Sequence, residues 1–266
     1  MKLIKISTYV LLLTLLGCNS SKKEETVVQE AAVETDVKAI NPIYELREYY
    51  AAEGKLENLL TRFRDHTVEL FKKHGMENVG YWVPTDNKEN KLIYLLSYEN
   101  KEIRDKAWKA FRTDTVWQKV FQESRVEGPL VDSVKITFLN TEDFSPDNFT
   151  SEDIANRTFE LRIYHTNENK LSDLHDRFRN HTIDLFEKHH IRNIAYWSLA
   201  EGEENRDNIL LYIVAHSSEE EAKTSWENFV NDPDWKAAYE ASIVDGSLVD
   251  FIESTYMTPT DFSPLK

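Results

Sequence analysis

Two short strings in this 266-residue chain could carry chemistry, and each is written twice. The first is Glu45-x-Arg47-x-Tyr49, which returns as Glu160-x-Arg162-x-Tyr164. At alternate positions of an extended segment the three side chains share one face. A guanidinium there can grip a carboxylate or another anion bidentately, with a tyrosine beside it. The same Glu and Arg can instead pair with each other and fix how two halves dock, because unpaired buried charge is costly. The second string holds His66 in RFRDHTVELF and His181 in RFRNHTIDLF. Each histidine follows a Phe by three residues and precedes a Leu by four, which places it at the edge of an apolar helix face, packed toward a sheet. Such an imidazole can act as a general base or ligand contact, or it can be a half-buried side chain bonded to a backbone carbonyl.

Further along the same helices come His74 and His189, about 12 Å from His66 and His181 at the helical rise. They cannot share a metal with them, and no HExxH or His/carboxylate spacing completes a set, so neither metal nor cofactor is expected. Tyr81-Trp82 and Tyr196-Trp197 place adjacent aromatics on opposite faces of a strand, so Tyr81 and Tyr196 join the candidate ligand contacts. There is no GxSxG elbow and no glycine-rich phosphate loop, and glycine is scarce at 7 residues. The single cysteine, Cys18, rules out an intrachain disulfide. A net charge of −15 repels nucleic-acid phosphates, and no basic stripe overrides it.

The elements that must position these groups form a tandem duplication. Tyr44–Tyr49 aligns with Phe159–Tyr164 and the register holds without a gap to Trp82 and Trp197. After a loop three residues longer in the second copy, it resumes from Tyr94/Tyr212 to Leu130/Leu248, and both copies end in DFSP. Within a copy, YELREYY alternates as a strand. Leu56, Leu59, Leu60, Phe63, Thr67, Leu70 and Phe71 follow at helical spacing, and Gly75 closes that helix. VGYW and LIYLLSY are strands. A helical stretch from Glu102 to Gln122 breaks near Thr113-Asp114, where the second copy reads NDPDW with Asp232 as N-cap and Pro233 at the first helical position. A last strand starts at Val131. The fold class is therefore α+β: two tandem ferredoxin-like β-α-β-β-α-β repeats. Each sheet has one face without helices, so the two copies are expected to close face to face as a pseudo-dimeric α/β barrel. In that arrangement Tyr44 and Leu46 should face the helices, and Glu45, Arg47 and Tyr49 the space between the sheets.

YELR at the start, the helix ending in KHG, the following NVGYW and the D-x-x-W of the second helix together resemble the NIPSNAP family. The resemblance spans nearly all of each repeat and implies the dimeric α/β-barrel class, an architecture shared with small monooxygenases, isomerases and haem-degrading proteins. It brings no settled activity. The second copy departs from the pattern, with His190 in place of Gly75 and Ala195 in place of Gly80.

The N-terminus reads as an address. Lys2 and Lys5 precede a short apolar run, and Leu15-Leu16-Gly17-Cys18 resembles the bacterial lipobox. The expected layout is a lipoprotein signal peptide at 1–17, a flexible acidic tether at 18–42 with Cys18 acylated, repeat 1 at 43–146, a linker at 147–157 and repeat 2 at 158–266. The SKKEE after Cys18 points to the outer membrane of a bacterial cell envelope and to its outer face. The combined expectation is an envelope lipoprotein that binds a small aromatic or anionic molecule. One rival is a cofactor-independent monooxygenase- or isomerase-type enzyme with His66 or His181 as base. The other is a protein-interaction module without a pocket.

Overall fold

The computed structural model describes residues 42–146, Phe149 and 157–266. The signal peptide, Cys18, the tether as far as residue 41 and most of the linker lie outside the described residues. None of the helices described is long and apolar enough to cross a membrane.

Each repeat has the expected order. Repeat 1 runs β1 (Ile43–Ala51), α1 (Leu56–Arg62), a π-helical turn (Phe63–Thr67), α2 (Val68–Lys73), β2 (Glu77–Pro84), β3 (Lys91–Tyr98), α3 (Lys101–Thr113), α4 (Thr115–Glu123) and β4 (Val131–Thr141). Repeat 2 copies it as β5 (Thr158–Thr166), α5 (Leu171–Arg177), a π turn (Phe178–Thr182), α6 (Ile183–Lys188), β6 (Arg192–Leu199), β7 (Ile209–His216), α7 (Glu219–Asn231), α8 (Pro233–Ser242) and β8 (Val249–Pro259). The break between α3 and α4 is set by capping. Asp114 accepts from the backbone N–H of Val116 and Trp117, and Asp232 accepts from Asp234 with Pro233 behind it.

The eight strands close into one antiparallel barrel in the order β1-β3-β2-β8-β5-β7-β6-β4. Two short seams join the repeats: Trp82–Pro84 of β2 against Met257–Pro259 of β8, and Trp197–Leu199 of β6 against Leu139–Thr141 of β4. The seams are equivalent under exchange of the repeats, so the chain is an intrachain pseudo-dimer. The two DFSP tails strengthen it by crossing over. Ser263 accepts from the Tyr81 N–H at 2.9 Å and Ser145 from the Tyr196 N–H at 2.9 Å. Phe262 packs on Phe63 and Tyr81, and Phe144 on Phe178 and Tyr196. Asp261 and Asp143 receive bidentate bonds from Arg64 and Arg179.

One core fills the barrel with side chains from both repeats, including Tyr44, Leu46, Trp82, Phe159, Leu161 and Trp197. Two further cores lie between the sheet and the helices of each repeat. The expected facing of β1 is thereby reversed: Tyr44 and Leu46 point into the barrel, whereas Glu45, Arg47 and Tyr49 point to the helix layer. The physical reason is donor supply. The barrel interior, walled by sheet on all sides, is packed with apolar side chains; the helix layer brings Arg104 and Trp108 of α3 onto the Glu45 carboxylate.

Candidate ligand-binding cavities

Glu45 is fully buried and accepts from Arg47 Nη1, from Arg104 Nε at 2.9 Å and Nη2 at 2.7 Å, and from Trp108 Nε1 at 2.9 Å. Burial alone would raise its pKa, but the Arg104 bonds and the charges of Arg47 and Arg104 bring it below the usual value. Glu160 stands at the same place in repeat 2, bonded by Arg162 Nη1, Trp226 Nε1 at 2.7 Å, Ser254 Oγ at 2.7 Å and His216 Nε2 at 3.2 Å. Both carboxylates are thus satisfied internally. Arg47 lies over the Trp108 ring, 4.3 Å from its centroid, and reaches the Tyr49 hydroxyl at 3.5 Å. Arg162 does the same with Trp226 and Tyr164. The Glu–Arg pairs therefore stand behind Tyr49 and Tyr164 and orient them.

Those two tyrosines open on cavities. Between α1, the π turn, α4 and β4 lies a cavity of about 400 Å³, lined by Tyr49, Arg62, Phe63, Thr67, Phe111, Trp117, Phe121, Arg125 and Val131–Val134 among others. Its counterpart in repeat 2, about 330 Å³, is lined by Tyr164, Arg177, Phe178, Thr182, Phe229, Trp235, Tyr239 and Leu248–Ile252. Of the candidate contacts read from sequence, Tyr49 and Tyr164 line the cavities; Glu45, Arg47, Glu160 and Arg162 support them. Tyr81 and Tyr196 do not line them. Their rings are completely buried, and their hydroxyls are spent on Asn78 and Asn193.

His66 and His181 are exposed and border separate surface grooves beside Asp65 and Asp176 respectively, not the aromatic cavities. The half-buried position expected for them fails because the helix is not regular. The π turn inserts an extra residue after Arg62, with Val68 N–H bonding back to Phe63 C=O. Thr67 keeps the inward position its spacing predicts and donates to the Arg62 carbonyl at 3.1 Å, while His66 is turned out to solvent. Thr182 and the Arg177 carbonyl repeat this bond at 3.1 Å. His74 and His189 brace the helix caps, their Nε2 atoms bonding the capping carboxylates of Asp114 at 2.8 Å and Asp232 at 2.6 Å. Among the described residues no group of three His, Cys, Asp or Glu is placed to hold a metal.

The residues that sequence reasoning missed are Arg62 and Arg177. They end α1 and α5 three residues after the buried Leu59 and Leu174, on the inward face of the helix, where they are 6% and 5% exposed. Among the described residues, neither has a carboxylate within ion-pair distance. Arg62 Nη1 donates to Ser124 Oγ at 3.3 Å, its Cζ sits 5.4 Å from the Trp117 ring centroid, and its Nε has no acceptor. Arg177 bonds Ser242 at 3.2 Å and faces Trp235 at 5.2 Å, again with Nε unsatisfied. Burial lowers the pKa of each, and the nearby tyrosine hydroxyls only partly offset it. A buried cation without a counter-ion, on the wall of an aromatic cavity, suits an anionic group of a planar ligand. The signal was present as RFR ahead of both histidines, an arginine at an apolar-stripe position in each copy.

A NIPSNAP family model matches this chain over residues 44–146 and again over 159–264. Among solved structures, an anthrone oxidase-like protein aligns with a TM-score of 0.56 at 11% identity, over 85% of this chain and 94% of the other. A candidate monooxygenase from Fusobacterium nucleatum subsp. nucleatum ATCC 25586 gives 0.53 at 9% identity, over 86% and 94%. Another from Lactobacillus acidophilus NCFM gives 0.52 at 12%, over 84% and 98%. At such identities the likeness is one of fold. No curated protein matches the chain.

Proposed function

The chain belongs to the NIPSNAP family through both of its halves, and from that premise we propose that it binds small aromatic anions, one in each helix-layer cavity. The observation that carries this reading is the buried, counter-ion-free arginine present twice, Arg62 and Arg177, each facing an indole ring. A ligand carboxylate or phenolate would complete the missing ion pair while its ring packs among Phe63, Trp117 and Phe121, or Phe178, Trp235 and Tyr239. The oxygenase or isomerase alternative with a histidine base is less well supported, since His66 and His181 are solvent-exposed and do not border these cavities. A module without a pocket is disfavoured by the cavities themselves.

We also propose a bacterial cell-envelope location, with the chain tethered through acylated Cys18 and the barrel at the outer-membrane surface. This part rests on the Leu15–Cys18 string and the SKKEE that follows it. Loss of membrane association and of acyl labelling in Cys18→Ala cells would support it; an unchanged membrane fraction would count against it.

For the cavities, calorimetric titration with benzoate should detect binding that is weakened at least tenfold at one site by Arg62→Met and at the other by Arg177→Met. Because the uncompensated guanidinium is costly to bury, each Met variant should also unfold at higher denaturant, by about 1–2 kcal/mol. A variant that loses stability while binding is unaffected would show that the arginine serves packing instead.

A further inference from the structure

The two cavities are built on one plan, yet their charges differ. Both contain one buried arginine, Arg62 or Arg177, and one strand aspartate, Asp132 or Asp250. The aspartates cancel in the comparison. What remains is Arg125, which lines the first cavity and whose place in the second copy is held by Ile243.

Arg125 is exposed in the turn just beyond α4, with its Cζ 4.7 Å from the centroid of the Phe121 ring. Arg62 approaches the same ring at 5.7 Å. Two guanidinia thus flank one aromatic ring, one deep and one at the mouth, and among the described residues Arg125 has no ion-pair partner. The proximity is unfavourable for the cations themselves, since the Arg125 charge further lowers the Arg62 pKa. On the β-strand wall, Ser133 in the first cavity is replaced by Phe251 in the second, which is less polar, and on the helix wall Phe121 is replaced by Tyr239.

From this asymmetry, and resting on the cavity reading above, we infer that the two sites select different ligands: the repeat 1 cavity takes a planar molecule with two anionic groups, and the repeat 2 cavity takes a monoanion. In repeat 1 the deep Arg62 receives one anionic group and Arg125 closes on the second at the mouth. In repeat 2 the mouth offers the Phe251 ring and the Tyr239 hydroxyl, so an uncharged end is favoured there.

The test compares two one-ring probes, benzoate with one carboxylate and terephthalate with two, titrated calorimetrically into the protein. Benzoate should fill two sites of similar affinity. Terephthalate should resolve a tight and a weak site, separated by about tenfold or more. Arg125→Ile, which copies repeat 2, should weaken the tight terephthalate site about tenfold and affect benzoate much less. Ile243→Arg should tighten the weak terephthalate site. If benzoate binding depends on Arg62 and Arg177 but Arg125→Ile leaves the terephthalate sites as they were, the division of ligands is wrong while the cavities stand as binding sites. If neither probe binds, both readings fall together.

Discussion

Glu45 and Glu160 occupy equivalent positions in the two repeats, are equally buried, and are satisfied by different neighbours. Around Glu45 stand two arginines, Arg47 and Arg104. Around Glu160 stand one arginine, Arg162, with His216 and Ser254. Where Arg104 sits in repeat 1 the second copy has Ala222; Tyr98 becomes His216 and Ile136 becomes Ser254. The Trp donor is kept in both, as Trp108 and Trp226. The requirement that survived duplication is a fully bonded carboxylate beneath the helices. The identity of most of its donors was free to change, because a buried acceptor needs its bonds satisfied and is indifferent to which side chains do so.

The largest effect should come from removing each carboxylate. Glu45→Gln leaves two buried or half-buried guanidinia without their counter-ion; Glu160→Gln leaves one. Breaking a buried ion pair costs roughly 3–5 kcal/mol. The loss is expected near the upper end for Glu45→Gln and near the lower end for Glu160→Gln, read from urea unfolding midpoints. Equal losses would show that the shared Arg–Trp pair dominates and that Arg104 adds nothing.

Acid offers a milder probe of the same networks. Burial alone would raise the Glu160 carboxyl, but the His216 bond, the Arg162 charge and the bonds from Ser254 and Trp226 hold it down at about 2. The folded value lies below that of an unfolded glutamate, about 4.3. The stabilisation is therefore fully present above about pH 5 and is lost as the pH falls toward 2, a change on the order of 2–3 kcal/mol. Comparing wild type with Glu160→Gln from pH 6 to pH 2 should show the gap between them narrowing across that window. A gap that stays constant would mean that Glu160 does not titrate there.

How much of this is legible in the sequence follows from which interactions are local. Element order, the break near Thr113-Asp114 and the Asp232 cap rest on periodicity and short-range capping, the duplication on the repeated strings, and the barrel on the uncovered face of each sheet and the family resemblance; the structure bears them out. The facing of β1 is reversed, because strand alternation separates two faces without saying which one meets the helices; that depends on Arg104 and Trp108, some sixty residues away in the chain. A 3.6-residue period puts His66 and His181 on a regular helix and has no means of showing the π turn. Arg62 and Arg177 precede that turn and do fall on the apolar stripe, three residues after Leu59 and Leu174. Charge would ordinarily assign such residues to solvent, and only the cavity in three dimensions shows what they face.

The smallest difference between the repeats lies where the first helix ends. Gly75 has φ +76° and the corresponding His190 has φ +60°, so both take the left-handed conformation that ends the helix. The departure seen in sequence therefore leaves the turn geometry intact. A side chain there is disfavoured by roughly 1 kcal/mol relative to glycine, though histidine is among the residues that tolerate it best. The His190 side chain is exposed, so its removal should lose little packing. His190→Gly should accordingly stabilise the protein, by about 0.5–1 kcal/mol once the greater freedom of glycine in the unfolded chain is subtracted. Gly75→His should destabilise by a similar amount. If His190→Gly instead lowers the unfolding midpoint, the imidazole contributes an interaction that offsets its strained backbone, and the two turns would be equal in shape but not in how they are held.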